Sequence, residues 1–296
     1  MKSINLGKTV MATAVGAVLA MGVASQAAAA PQFTIDPTAI PGNIFATAPF
    51  VADFIQGTSS ERILIAGNDA TATGYLQFTA FTLNASALSP LSTGLLVDYN
   101  LYLTYSIDLS LASGTAGQPG AVYNIDSLDF LLKADPGTNT TFTPATLAAP
   151  AIVGGVTADD IVLGFSAGTI AGTAGFNTLG GVFLNSISAF GICTGAGTAT
   201  VGGFPIPGPV CTSGVGDAYF AEPTPFYSLA FGEFNNTGQG LVCNAGPTVC
   251  AVTSASGGVD FNNTPVVPEP ASLALLGIGL AGLGFSTRRS KKQPAA

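Results

Sequence analysis

The chain reads as an all-β protein, a β-sandwich of antiparallel strands, on three observations. Apolar and polar residues alternate over long stretches, and the intervals are filled with Gly, Pro, Asn and Ser. Between the termini no segment shows helical spacing with caps. The 296 residues include 38 Gly and 19 Pro, enough chain-breaking residues to supply many short turns.

In chain order the first element is a leader. Lys2 and Lys8 give a positive start, Val10 to Val23 is apolar, and Ser25-Gln26-Ala27-Ala28-Ala29-Ala30 offers small residues. This is the layout of a secretory signal peptide over residues 1–29, a signal helix engaged by the Sec translocon. Pro31 disfavours a cut immediately before it, so signal peptidase is expected to cut after Ala27, Ala28 or Ala29.

Residues 30–260 form the extracytoplasmic body, one β domain. Its clearest strand runs from Leu95 to Leu111, where Leu95, Val97, Tyr99, Leu101, Leu103, Tyr105, Ile107, Leu109 and Leu111 share one parity. Asp98, Asn100, Thr104, Ser106, Asp108 and Ser110 fall on the other, so one face is buried and one is wet. Leu76 to Leu83 alternates too, with a parity change near Ala80 that predicts a β-bulge. Further strands are expected at Leu128-Phe130-Leu132, Ile161-Leu163-Phe165, Val182-Leu184 and Tyr227-Leu229-Phe231. Ala196 to Val215, rich in Gly and Pro, reads as a long surface loop. After Gly257 a polar spacer begins, and residues 261–296 form the tail.

The cysteines suit an oxidising compartment. Cys193 and Cys211 bracket the Gly/Pro loop, and Cys243 and Cys250 bracket a short segment with Pro247. Disulfides Cys193–Cys211 and Cys243–Cys250 are expected, because each closes a stretch without regular structure. A four-thiolate metal site would normally show a C-x-x-C pair, and there is none.

Charge excludes one class of partner. Of eight Lys and Arg, two lie in the leader and four in the tail, which leaves Arg62 and Lys133 for the body. Fifteen of sixteen acids stay with them, a net charge of −13. Such a body repels phosphate backbones and anionic lipid, so nucleic acid is not a partner.

Catalytic chemistry is sparse. The chain has no His, which removes Ser-His-Asp and Cys-His nucleophiles and His-ligated zinc. A glycosidase-type carboxylate pair could draw on Glu222, Glu233 and scattered aspartates, but Trp for sugar platforms is absent. The expectation is a chain that is not an enzyme and has no cofactor. Calcium is the one metal worth testing. Asp126, Asp129, Asp135, Asp159 and Asp160 are hard oxygen donors near strand ends, without EF-hand spacing.

The tail carries the most specific motif. Val267-Pro268-Glu269-Pro270 precedes an apolar run, Ala271 to Phe285, and then Arg288, Arg289, Lys291 and Lys292. As a single apolar helix the run spans about 22 Å, short of the ~20 residues a bilayer core needs. The cations act as a stop on the cytoplasmic side. This arrangement resembles the PEP-CTERM sorting signal of bacterial exported proteins. The resemblance implies brief anchoring in the inner membrane and cutting near the Pro-Glu-Pro box by an exosortase-type membrane protease.

A narrower resemblance covers the body. Phe33-Thr34-Ile35-Asp36-Pro37-Thr38, Phe50 to Gly57, Ala158-Asp159-Asp160 and Tyr219 to Tyr227 look like the flocculation-associated PEP-CTERM protein family. That family implies a protein at the cell surface or in the extracellular matrix. It would promote cell aggregation or biofilm with exopolysaccharide, and it brings no catalytic residues. The alternative from the residues is a carbohydrate-binding or carbohydrate-active β-sandwich module.

Overall fold

The computed structural model describes residues 31–262, apart from 156, 236–239 and 247. The signal helix predicted within 1–29 and the apolar helix at 271–285 lie outside the described residues. Among the described residues, no helix is long and apolar enough to cross a membrane.

Among the described residues, seventeen strands, a single 3-10 turn (Pro37–Ala39) and two short α-helices follow one another. They are β1 (Phe33–Ile35), β2 (Phe50–Ala52), β3 (Phe54–Ala66), β4 (Asp69–Leu83) and β5 (Ser86–Ala87), then helix α1 (Pro90–Thr93). Next come β6 (Tyr99–Ser113), β7 (Val122–Pro136), β8 (Thr140–Thr143), β9 (Ile152–Gly155), β10 (Ile161–Phe176) and β11 (Val182–Gly195). The chain continues through β12 (Gly197–Val201), β13 (Phe204–Gly208), helix α2 (Val215–Tyr219), β14 (Phe220–Glu222) and β15 (Leu229–Asn235). It ends with β16 (Leu241–Cys243) and β17 (Val249–Asn262).

Eight of these strands close a ring. Following the chain, β3, β4, β6, β7, β10, β11, β15 and β17 each pair antiparallel with the next. Strand β17 then returns to β3, from Val249↔Leu64 to Val259↔Ile55. The all-β expectation holds, but the two-sheet sandwich does not: the body is an up-and-down barrel. Alternation fixes only which face of a strand is buried. Whether the last strand pairs with the first depends on tilt and stagger, which period two does not encode.

Individual strands refine the sequence reading. In β6 the odd residues Tyr99 to Leu109 are buried inside the barrel, but the strand begins at Tyr99. Leu95 is buried in a turn after α1, and Val97 is 37% exposed. The bulge in β4 sits at Thr79, since Gln56 opposes Ala80 while Gly57 opposes Phe78. In β15 the inward face is Ala230, Gly232 and Phe234, opposite to the predicted parity. Small inward residues there, facing Ser186 and Ser188, hide the pattern. The 196–215 segment is not a loop but holds the β12–β13 hairpin. Pro205 and Pro207 alternate along edge strand β13, so their missing N–H groups can fall outside the ladder.

The barrel interior is filled. Among the described residues, two voids inside it measure about 40 and 30 Å³, the larger lined by Ile55, Phe78, Leu103, Phe190, Phe234 and Phe261 among others. Strand β1 pairs with β2 and β14 in a separate sheet. From this sheet and its continuation Phe33, Phe220 and Phe226 pack on Phe261, with ring centroids 5.2, 5.6 and 5.3 Å away. Phe190 lies 4.9 Å from Phe261. Gly164 gives that ring its room, since a Cβ there would approach it to 2.7 Å. The interior is thus a packed core, as eight-stranded barrels permit.

Candidate functional site

Two acidic surfaces occupy the outer wall of the barrel. The first lies where β7 ends and β10 begins. The chain leaves the wall after Pro136, makes the β8–β9 hairpin, and returns at Ile161, which pairs with Ala134. Asp135, Asp159 and Asp160 stand at the two feet of this excursion, with one carboxylate oxygen from each within 4.8 Å of the others. Asp135 is completely buried. Its Oδ2 accepts from Asn100 Nδ2 (3.0 Å) and the Thr140 amide (2.8 Å), while its Oδ1 is buried without a partner. Asp160 accepts from the Tyr102 hydroxyl and from Thr140 Oγ1 (3.4 Å), and the more exposed Asp159 accepts from Asn139 Nδ2 at 3.1 Å. Burial raises the Asp160 carboxyl above its ordinary range, while the Tyr102 bond and the Lys133 charge oppose the rise. The Tyr102 hydroxyl is pushed up by burial and by these carboxylates.

The excursion roofs this surface. Phe142 packs between Tyr75 and Tyr102, with centroids 5.1 and 5.5 Å away. Ser60 Oγ accepts from the Ala145 amide at 2.9 Å, and Arg62 Nη2 donates to the Leu147 carbonyl at 3.1 Å. Both cations of the body, Arg62 and Lys133, thus serve the same region. The roof also explains why Asn100 and Tyr102, on the nominally wet face of β6, are buried.

The second surface is an open groove of about 590 Å³, lined by Asn185, Ile187, Phe231, Glu233 and Asp260 among others. Phe231 opposes Asp260 and Glu233 opposes Gly258 across β15 and β17, so the two acids are diagonal neighbours. Burial, reinforced by the Glu233 charge, raises the Asp260 carboxyl to about 6. Its Oδ1 is buried without a partner.

The calcium candidates therefore separate. Asp126 and Asp129 are exposed on the outer face of β7, where Asp126 accepts from Ser110 Oγ at 2.9 Å. Neither joins the three-carboxylate group. Among the possible acid–base residues, Glu222 lies exposed on β14, whereas Glu233 meets Asp260 in the groove. Sequence reading did not single out Asp260. Its place opposite Phe231 becomes visible only with the β15–β17 register.

Cys193 bonds to Cys211, with Cα atoms 5.3 Å apart, in a small buried cluster with Val162 and Ala199. Cys243 bonds to Cys250, its direct cross-strand neighbour. The Cys193–Cys211 bridge closes a stretch that holds the β12–β13 hairpin rather than an irregular loop, whereas the described residues from Asn244 to Thr248, closed by Cys243–Cys250, form no strand. Of the body segments quoted for the narrower resemblance, Phe33–Ile35, Phe50–Ala52 and Phe220–Glu222 meet in one three-stranded sheet. Asp159 and Asp160 stand in the roofed cluster.

The body thus defines a class: a filled antiparallel barrel with an acidic outer wall. Its affiliation comes from the tail, where residues 266–289 match the PEP-CTERM protein-sorting motif. The chain is an exported protein, held briefly at the membrane before cleavage by exosortase. Val267, Pro268, Glu269, Pro270, Arg288 and Arg289 fall within the match; Lys291 and Lys292 follow it. Comparison of the chain with curated proteins and with solved structures gives no match.

Proposed function

We propose that this is a non-enzymatic surface or extracellular-matrix protein that promotes cell aggregation together with exopolysaccharide. In this reading the Sec translocon and signal peptidase handle the leader, and exosortase cuts at the Pro-Glu-Pro box. The observation that carries it is a sorting motif joined to a strongly acidic body whose barrel interior is, among the described residues, packed around voids of about 40 and 30 Å³. The resemblance of the small sheet and the Asp159-Asp160 segment to flocculation-associated proteins supports the same role. Deleting the gene should reduce floc and biofilm mass. Restoring the chain with Pro268 and Pro270 changed to Ala should leave the protein at the membrane and flocs reduced. Unchanged flocculation after deletion overturns the proposal.

The groove bearing Glu233 and Asp260 favours a second reading, a carbohydrate-binding or carbohydrate-active module. Paired carboxylates in a concave, partly apolar surface are what sugar chemistry uses. Glycan-array binding with reducing-sugar release separates the cases: binding without release makes it a lectin-like surface, and release makes it a hydrolase.

A further inference from the structure

We propose that Asp135, Asp159 and Asp160 form a binding site for a hard divalent cation of the calcium class, which ties the β8–β9 excursion to the barrel wall. Three features converge on this assignment. The donors are all oxygens, and a carboxylate oxygen from each residue lies within 4.8 Å of the others. Oxygens on one calcium ion, each 2.3–2.6 Å from it, lie at most ~5 Å apart. Asp135 is fully buried, and its Oδ1 has no hydrogen-bond partner. A buried ionised oxygen without a donor is strongly unfavourable, and a cation shared with Asp159 and Asp160 removes that defect.

The surroundings prepare the ligands. Asn100, Thr140, Tyr102 and Asn139 each donate to one of the three carboxylates. They leave Asp135 Oδ1 unengaged. Neighbours of this kind orient ligands before an ion arrives. Lys133 is the cation whose charge acts on Asp160, while Arg62 is bound to the Leu147 carbonyl, so the three carboxylates outnumber the cation that acts on them. The site joins two chain positions separated by the whole excursion, so an occupied site would restrain both feet of the roof.

The test uses the protein as recovered from its producing cells, stripped with EDTA and dialysed. Calcium titrated by calorimetry should bind once per chain, with Kd roughly 10⁻⁴–10⁻³ M, the range of extracellular modules. Terbium should bind competitively and luminesce by transfer from Tyr102, since the chain has no Trp. At a hundredfold excess of calcium over Kd, Tm should rise by about 5–10 °C. Asp159→Asn, at an exposed position that tolerates change, should weaken binding at least about tenfold; Asp135→Asn should abolish it. Asp126→Asn should leave it unchanged. Three results overturn the site: no saturable binding, unchanged binding in Asp159→Asn, or magnesium binding as tightly as calcium. Calcium that leaves Tm unmoved also overturns it.

Discussion

The two acidic surfaces use the same residue types on the same barrel wall and end in different physical states. At the roofed cluster, four neighbouring donors point at three carboxylates, of which Asp135 is fully buried beside the hairpin while Asp159 stays exposed. In the groove, Glu233 and Asp260 lie diagonal to each other without such a set of donors among the described residues, and burial, with the Glu233 charge added, raises the Asp260 carboxyl. Carboxylates gathered with their donors form a pocket prepared for a positive charge. In the groove burial and the Glu233 charge raise the Asp260 carboxyl to about 6, whereas at Asp160 the rise due to burial is opposed by the Tyr102 bond and the Lys133 charge. The difference lies in what covers the wall: the excursion between β7 and β10 builds a second layer, and among the described residues nothing comparable covers β15 and β17.

The sharpest way to break this contrast is to lift the roof. Phe142→Ala removes the ring wedged between Tyr75 and Tyr102. Full burial of an aromatic ring gives losses of 3–5 kcal/mol; Phe142 is half-buried, so about 2 kcal/mol is expected in denaturant unfolding. Protease cutting between residues 137 and 160 should rise in parallel. If stability falls while the excursion stays protected, the hairpin is held by its Ser60 and Arg62 contacts instead, and the roof has a second anchor.

A smaller change tests the donors. Tyr102→Phe keeps the packing and deletes only the hydroxyl that donates to Asp160. A hydrogen bond to a charged group contributes ~1.5–3 kcal/mol when buried, and partial exposure here reduces the expected loss to about 1 kcal/mol. The same substitution in reverse logic marks the groove: Phe231→Tyr, which adds a hydroxyl near Asp260, should lose nothing.

How much of this was legible depends on what kind of information each feature needs. The strand of Tyr99 to Leu109 announces itself because every second residue is large and apolar. The matching face of β15 is hidden because its inward residues are Ala230 and Gly232, small enough to sit opposite Ser186 and Ser188. Asp159 and Asp160 are visible as adjacent donors, yet their link to Asp135 depends on the β7–β10 register, across an excursion that period two does not span. Asn100 and Tyr102 look solvent-facing in sequence because the layer that covers them comes from residues some forty positions later. Ring closure is the least legible feature, since it requires β17 to find β3 across almost the whole body.

The smallest effect concerns the proton in the groove. Asp260 has an ordinary carboxyl pKa of 3.8 in the unfolded chain and about 6 in the fold. The folded protein therefore holds the proton more tightly, so stability is highest below pH ~4 and declines as pH rises towards 6. Above that value the whole penalty is present. Other raised acids, Glu61 and Asp160, shift stability in the same direction, so the wild-type profile alone does not isolate Asp260. The difference between wild type and Asp260→Asn does, because the amide keeps the shape and cannot ionise. The two proteins should melt together at pH 4, and the variant should be the more stable one at pH 7. Because Asp260 is partly exposed, solvent screening limits the gap to about 1 kcal/mol or less, a Tm difference of ~2–4 °C at this size. A gap of the opposite sign would mean that the groove supplies donors to an ionised Asp260, and the contrast between the two surfaces would disappear.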